Sequence, residues 1–117
     1  MSDEPAGIVR MFEDQNWEVR VVALEMLRQV DAASLSAHVP AIVRMLEDQD
    51  GDVRVAALEA LRQLDAASLS AHVPAIVRML EDQDGDVRVA ALEALRQLDA
   101  ASLSAHVPAI LQRLEHQ

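Results

Sequence analysis

The sequence predicts an all-α solenoid, a single file of paired helices, and three observations carry the prediction. Residues 31–64 recur letter for letter at 65–98, and a third copy begins at Asp99 and runs unchanged through Ile110, so the period is 34 residues. A fixed period of this size marks stacked units that cover one another's apolar sides. Within each period the apolar residues fall at helical rather than alternating spacing. Finally, 51% of the chain is apolar although Phe12 and Trp17 are its only aromatic residues, so the core must be built from Ala, Val, Leu, Ile and Met. Alanine and leucine, both strong helix formers, dominate that set.

The first element is an altered copy of the unit. The string GIVRMFEDQNWEVRVVALEMLRQV at 7–30 aligns with the repeat once Phe12 stands for Leu46, Trp17 for Gly51, and Val22, Met26 and Val30 for Ala56, Ala60 and Leu64. In the regular copies, Val53, Ala56, Ala57, Ala60, Leu61 and Leu64 form one broad stripe of a helix, called B, with Val55, Glu59 and Arg62 on the opposite face. Asp50, Gly51 and Asp52 supply a turn and then acidic residues where the helix dipole favours them. A second helix, A, is predicted from Val73 to Asp82, burying Val73, Ile76, Val77 and Leu80, with Pro74 in its first turn. Between B and A, the stretch DAASLSAH reads as a short helical turn capped by Asp65 with Leu69 inward; a plain loop is the alternative. The string LQRLEHQ at 111–117 continues a last A helix, with Arg113 at the Met79 position. The sum is one repeat domain over 1–117: a divergent unit at 1–30, identical units at 31–64 and 65–98, and a truncated unit at 99–117. It contains three A–B pairs and one final A helix.

Composition narrows the function. Twenty acids against ten bases give a formal charge of −10, which opposes non-specific attraction to phosphate backbones or anionic membrane, so neither nucleic acid nor membrane is an expected partner. No cysteine is present, which removes disulfides and thiolate metal sites and is compatible with a reducing compartment. No apolar run has the length of a membrane span, and MSDEPAG lacks the apolar core of a secretion signal. The expected location of a natural protein of this kind is the cytoplasm.

The run EDQDGDVRVAALEALRQL resembles the B half of HEAT repeats, in which an Asp precedes a Val-Arg pair and Ala-Ala, Ala-Leu and Leu follow at helical spacing. The residues that carry the likeness are Asp48, Val53, Arg54, Ala56, Ala57, Ala60, Leu61 and Leu64, with Asp14, Val19 and Arg20 before them and Asp82, Val87 and Arg88 after. The resemblance implies a right-handed solenoid and a structural ladder of Asp14, Arg20, Asp48, Arg54, Asp82 and Arg88 joining successive units. The helical wheel agrees, because Arg54 projects from the flank of the apolar stripe, where a guanidinium needs a partner. The 34-residue unit is shorter than many HEAT repeats, and the wider armadillo-like class fits as well. The family also implies a scaffold that binds proteins along a concave surface lined by B helices, here Val55, Glu59, Arg62, Val89, Glu93 and Arg96. Identity extends to surface positions, where natural repeats drift, and this points to a consensus or copied-repeat engineered chain, with a very recent duplication as the alternative.

Catalytic and metal chemistry find little support. His38, His72 and His106 recur once per unit, but stacked helices stand about 10 Å apart, and ligands sharing a zinc must come within roughly 2 Å of it. His116 follows Glu115, the reverse of the His-Glu order of metal-dependent HEAT-like hydroxylases. Asp48, Asp50 and Asp52, with Asp82, Asp84 and Asp86, lack the closing Glu of a calcium loop. Serines 34, 36, 68, 70, 102 and 104 read as caps and turn residues, with no nucleophile motif around them. We therefore expect no enzyme, no cofactor and no bound metal. What remains is surface. The end units lose one neighbour each, so Trp17, Val22, Met26 and Val30 at one end, and Ile110, Leu111 and Leu114 at the other, are the candidate interface residues. Val22, Met26 and Trp17 either fill the space of a missing unit or form a self-association patch. The expected partner is a protein, either a second copy in a homodimer or larger homo-oligomer, or a peptide.

Overall fold

A computed structural model describes residues 10–98 and 100–115. Residues 10 and 11 are helical, and after them the helices follow in order: α1 Trp17–Leu27, α2 Ala32–Ala37, α3 Val39–Met45, α4 Gly51–Leu61, α5 Ala66–Ser70, α6 Val73–Arg78, α7 Gly85–Leu95 and α8 Ala100–Glu115, with a 3-10 turn at Met79–Glu81. No strand occurs among the described residues. The B helices are α1, α4 and α7, and they pack in file, α1 along α4 and α4 along α7. The A layer lies beside them: α3 rests on α4, α6 and the 3-10 turn rest on α7, and α8 rests on α6 and that turn. The molecule measures 47 × 28 × 16 Å. Its thinnest dimension is that of two helix layers, since axes about 10 Å apart plus a Cα radius of about 2.3 Å on each side give about 15 Å.

Each B helix starts at the same chemical signal. Asn16, Asp50 and Asp84 sit in extended backbone and accept a hydrogen bond from the amide two residues on, at Glu18, Asp52 and Asp86. These acids add charge where the helix dipole is positive. The stretch between B and A folds as the short helix in both regular units. Asp31 caps α2 and Asp65 caps α5, each accepting from the amide three residues on at 2.7 Å, and Leu35 and Leu69 turn into the core. The serines lie inside these helices, and Ser34 and Ser68 donate to the capping Asp31 and Asp65 from backbone and side chain, so the caps themselves are the aspartates.

Helix A departs from its predicted extent. It stops being α-helical at Arg78, and Met79–Glu81 tighten into a 3-10 turn that brings Asp82 into the loop. In the last unit the short helix and helix A fuse into the continuous α8, with Pro108 inside it. The same letters break at His38 and His72 in the earlier units, where backbone near φ −105° and −113° separates two helices. Local sequence therefore does not place the break. In the earlier units helix A lies against its own B helix, whereas α8 continues unbroken and tolerates the backbone bond that Pro108 cannot donate.

Candidate protein-contact surfaces

Three side-chain arrangements are repeated along the file, and each ends differently at the last unit. The first joins loops. Arg20 grips Asp48 with Nε at 2.9 Å from Oδ2 and Nη2 at 3.1 Å from Oδ1, while its Nη1 donates to the Asp14 carbonyl at 2.6 Å. Arg54 repeats the grip one unit on: Nη2 donates to Asp82 Oδ1 at 3.0 Å, Nη1 to the Asp48 carbonyl at 2.7 Å, and Nε makes an ion-pair approach to Asp82 Oδ2 at 2.9 Å without an aligned hydrogen bond. Both carboxylates also accept from the backbone, Asp48 from Asp50 and Asp82 from Asp84. Each Arg thus ties its own loop to the next one. Arg88 keeps only the Asp82 carbonyl, at 2.6 Å, and meets no carboxylate among the described residues. The position that would supply it, 34 residues after Asp82, holds His116, which lies outside them.

A second row of charges joins the B helices directly, and sequence reasoning did not find it. Arg28 Nη1 lies 3.4 Å from Glu59, and Arg62 Nη1 lies 3.4 Å from Glu93. Glu59, Arg62 and Glu93 are among the residues expected to face a concave partner surface. Here they reach sideways to the neighbouring unit, and Arg96 has no such acid among the described residues. The signal was available, since an Arg and a Glu recur 31 residues apart, close to one period.

The third arrangement is apolar and was also missed. Leu24 and Leu58 are fully buried, although the wheel left them outside the B stripe. They stand on the flank that meets the following unit, with Val21 and Val55 half-buried beside them. Facing them are the small residues of the next helix, Ala56 and Ala60 opposite α1, Ala90 and Ala94 opposite α4, all buried. Val55 therefore stands at the edge of an inter-unit contact, half-buried. In α7, whose letters are identical to those of α4, Leu92 is 38% exposed and Val89 54%. Among the described residues nothing seals that side of α7.

The two ends can now be placed. Val22 and Met26 are 45% and 41% exposed, so they do not fill the space of a missing unit; they stand on its open side where later units carry alanine. Trp17 is exposed too, but it does not share their patch. It lies about 140° from Val22 and about 180° from Met26 around a helix of 3.6 residues per turn. Its counterpart Gly51 points a would-be Cβ at Asp84 of the following unit, 2.5 Å from Oδ2. Val30 is half-buried against the core. At the other end Ile110 is buried, contrary to expectation, because α8 turns it toward α6 and the 3-10 turn. Leu111 and Val107 are exposed where Val77 and Val73 are buried. The side chains of Arg113 and Leu114 lie outside those described.

His38, His72 and His106 are half-buried at successive units, and among the described residues no group of three or more His, Asp or Glu side chains could hold a metal ion. No helix among the described residues is long and apolar enough to cross a membrane. Compared with known proteins, a family model described as HEAT repeats matches residues 5–96. No curated protein matches the chain.

Proposed function

Because this match spans most of its length, the chain belongs to the HEAT repeat family, and within that family we propose that it is a non-catalytic scaffold whose protein contacts are made at its uncovered ends. HEAT repeats are helical scaffolds that generally mediate contacts between proteins. The observation that carries the reading is the exposure of one residue in two identical helices: Leu58 is sealed by the next unit and Leu92 is open. Apolar area left open in this way favours association, at about 25 cal/mol per Å² covered. The B-helix face is the weaker candidate, because Glu59, Arg62 and Glu93 are already engaged with one another or with Arg28. Self-association through Val22 and Met26 of the first unit is the form of contact we propose for the N-terminal end. The letter-for-letter copies support an engineered, copied-repeat origin, on which a uniform surface was never adapted to one ligand.

Sedimentation velocity across concentration tests self-association. The average mass should rise toward high micromolar concentration and return to the monomer value in the double variant V22E/M26E. A wild-type chain that stays monomeric throughout removes the self-association clause and leaves the scaffold.

A further inference from the structure

We propose that Met26 is a reversible oxidation site, and that converting it to the sulfoxide releases the contact made through Val22 and Met26 while leaving the fold intact. The inference rests on reading that patch as a self-association surface, and it names what regulates it.

The chain has five methionines, and four of them lie among the described residues in two kinds of place. Met11, Met45 and Met79 each precede a buried residue, Phe12, Leu46 or Leu80, at the same point of the unit. Met45 is 8% exposed, and Met11 and Met79 are half-buried against the core. Met26 is the exception. It stands on α1 one turn after Val22, where the regular helices carry the buried alanines Ala60 and Ala94, and it is 41% exposed.

Hydrogen peroxide is the oxidant that suits this setting, since it is neutral and a formal charge of −10 does not repel it as it repels an anionic oxidant. The thioether sulfur attacks one peroxide oxygen and the O–O bond breaks. The other oxygen leaves as hydroxide and takes the proton of the transferred one, becoming water. Sulfur loses two electrons and the peroxide gains them, and a flexible apolar side chain becomes a polar one. At Met26 water can solvate the new oxygen, so Ala23, Leu24 and Leu27 on the buried side of α1 keep their packing. At Met45 the same change would set an unpaired polar group in the core. In a symmetric pair of copies each patch meets its own equivalent, so one contact carries two sulfoxides.

Tryptic peptides separate the sites. Residues 21–28, VVALEMLR, contain Met26 alone, whereas Met45 and Met79 share one sequence, MLEDQDGDVR, at 45–54 and 79–88. The full-length chain is treated with hydrogen peroxide, quenched with catalase, and followed by mass spectrometry, far-UV circular dichroism and sedimentation velocity. VVALEMLR should gain one oxygen at least about tenfold faster than MLEDQDGDVR, with no change in dichroism. The association constant should fall at least about tenfold and recover when methionine sulfoxide reductases A and B are added, one for each sulfoxide epimer. Met26→Leu conserves apolar volume, so this variant should associate as the parent does and ignore peroxide. Oxidation of MLEDQDGDVR as fast as of VVALEMLR overturns the proposal. So does unchanged association of the Met26 sulfoxide, a loss of helix that accompanies its formation, or dissociation of the M26L variant by peroxide. Untreated protein that is monomeric at every concentration is a separate failure: it removes the self-association reading, and the regulation falls with it.

Discussion

Truncating Leu58 and Leu92 to alanine makes the same chemical change in the same eleven-residue helix, so any difference between the variants is a property of the stack. Leu→Ala removes about three methylene equivalents at about 0.8 kcal/mol each, or about 2.4 kcal/mol of transfer free energy. At Leu58, fully buried between α4 and α7, all of it is lost and a closed cavity adds about 1 kcal/mol, giving about 3.5 kcal/mol. At Leu92, 38% exposed, roughly three-fifths of the transfer applies and solvent enters the gap, so the cost is at most about 1.5 kcal/mol. A gap of about 2 kcal/mol between the variants is therefore expected. Urea titration followed by far-UV circular dichroism measures it, with the slopes compared because stacked repeats lose all-or-none behaviour when one interface weakens. L58A should lower the midpoint sharply or split the transition, and L92A should do neither. Equal losses, or the larger loss at Leu92, would refute the claim that the following unit is what buries this position.

Other expectations use the same contrast between repeated places. Arg54→Ala strands the half-buried Asp82 carboxylate and should cost about 2 kcal/mol, whereas Arg88→Ala should cost under about 1 kcal/mol; paired urea titrations decide whether the loop grip differs. Arg62→Ala breaks a partly exposed contact of 3.4 Å, and its stability should stay within about 0.5 kcal/mol of the parent; a larger loss would show that the second charge row holds the file together. Gly85→Ala should stabilise by about 0.5 to 1 kcal/mol by restricting the unfolded chain, since the added Cβ meets only Arg88 Nη2 at 3.4 Å. Gly51→Ala should gain less, because its Cβ would push on Asp84, whose other oxygen caps α7; equal melting temperatures would contradict this.

The caps of the short helices supply a pH expectation. Backbone amides of Ser34 and Ser68, and then their side chains, hold the Asp31 and Asp65 carboxyls below the ordinary value of 3.8. A depressed folded value means that these carboxylates stabilise the fold above pH 3.8 and that the contribution disappears as pH falls through the lower, folded value. Carboxyl carbon shifts followed by NMR in acid should therefore show both midpoints under 3.8; a midpoint at or above it would mean the caps do not form.

Much of this was legible in the letters. An exact 34-residue copy carries the unit, the spacing of Val53, Ala57 and Leu61 carries the buried stripe, and Asp before Val-Arg carries the likeness to HEAT repeats. Those features are local or periodic, and periodicity survives without coordinates. The short helices were legible too, because Asp31 and Asp65 cap them from three residues away.

Only the tertiary structure decided what each copy of a residue touches. Leu58 and Leu92 have the same neighbours in sequence, as do Arg54 and Arg88, and yet Leu58 is covered where Leu92 is open, and Arg54 meets a carboxylate where Arg88 meets none among the described residues. The fused α8 is the same lesson for backbone, since one eleven-residue string breaks twice and continues once. Sequence determines a helix and its stripes through contacts a turn away. Burial and pairing in a stack depend on whether another unit stands alongside, and that is a fact about position in the file.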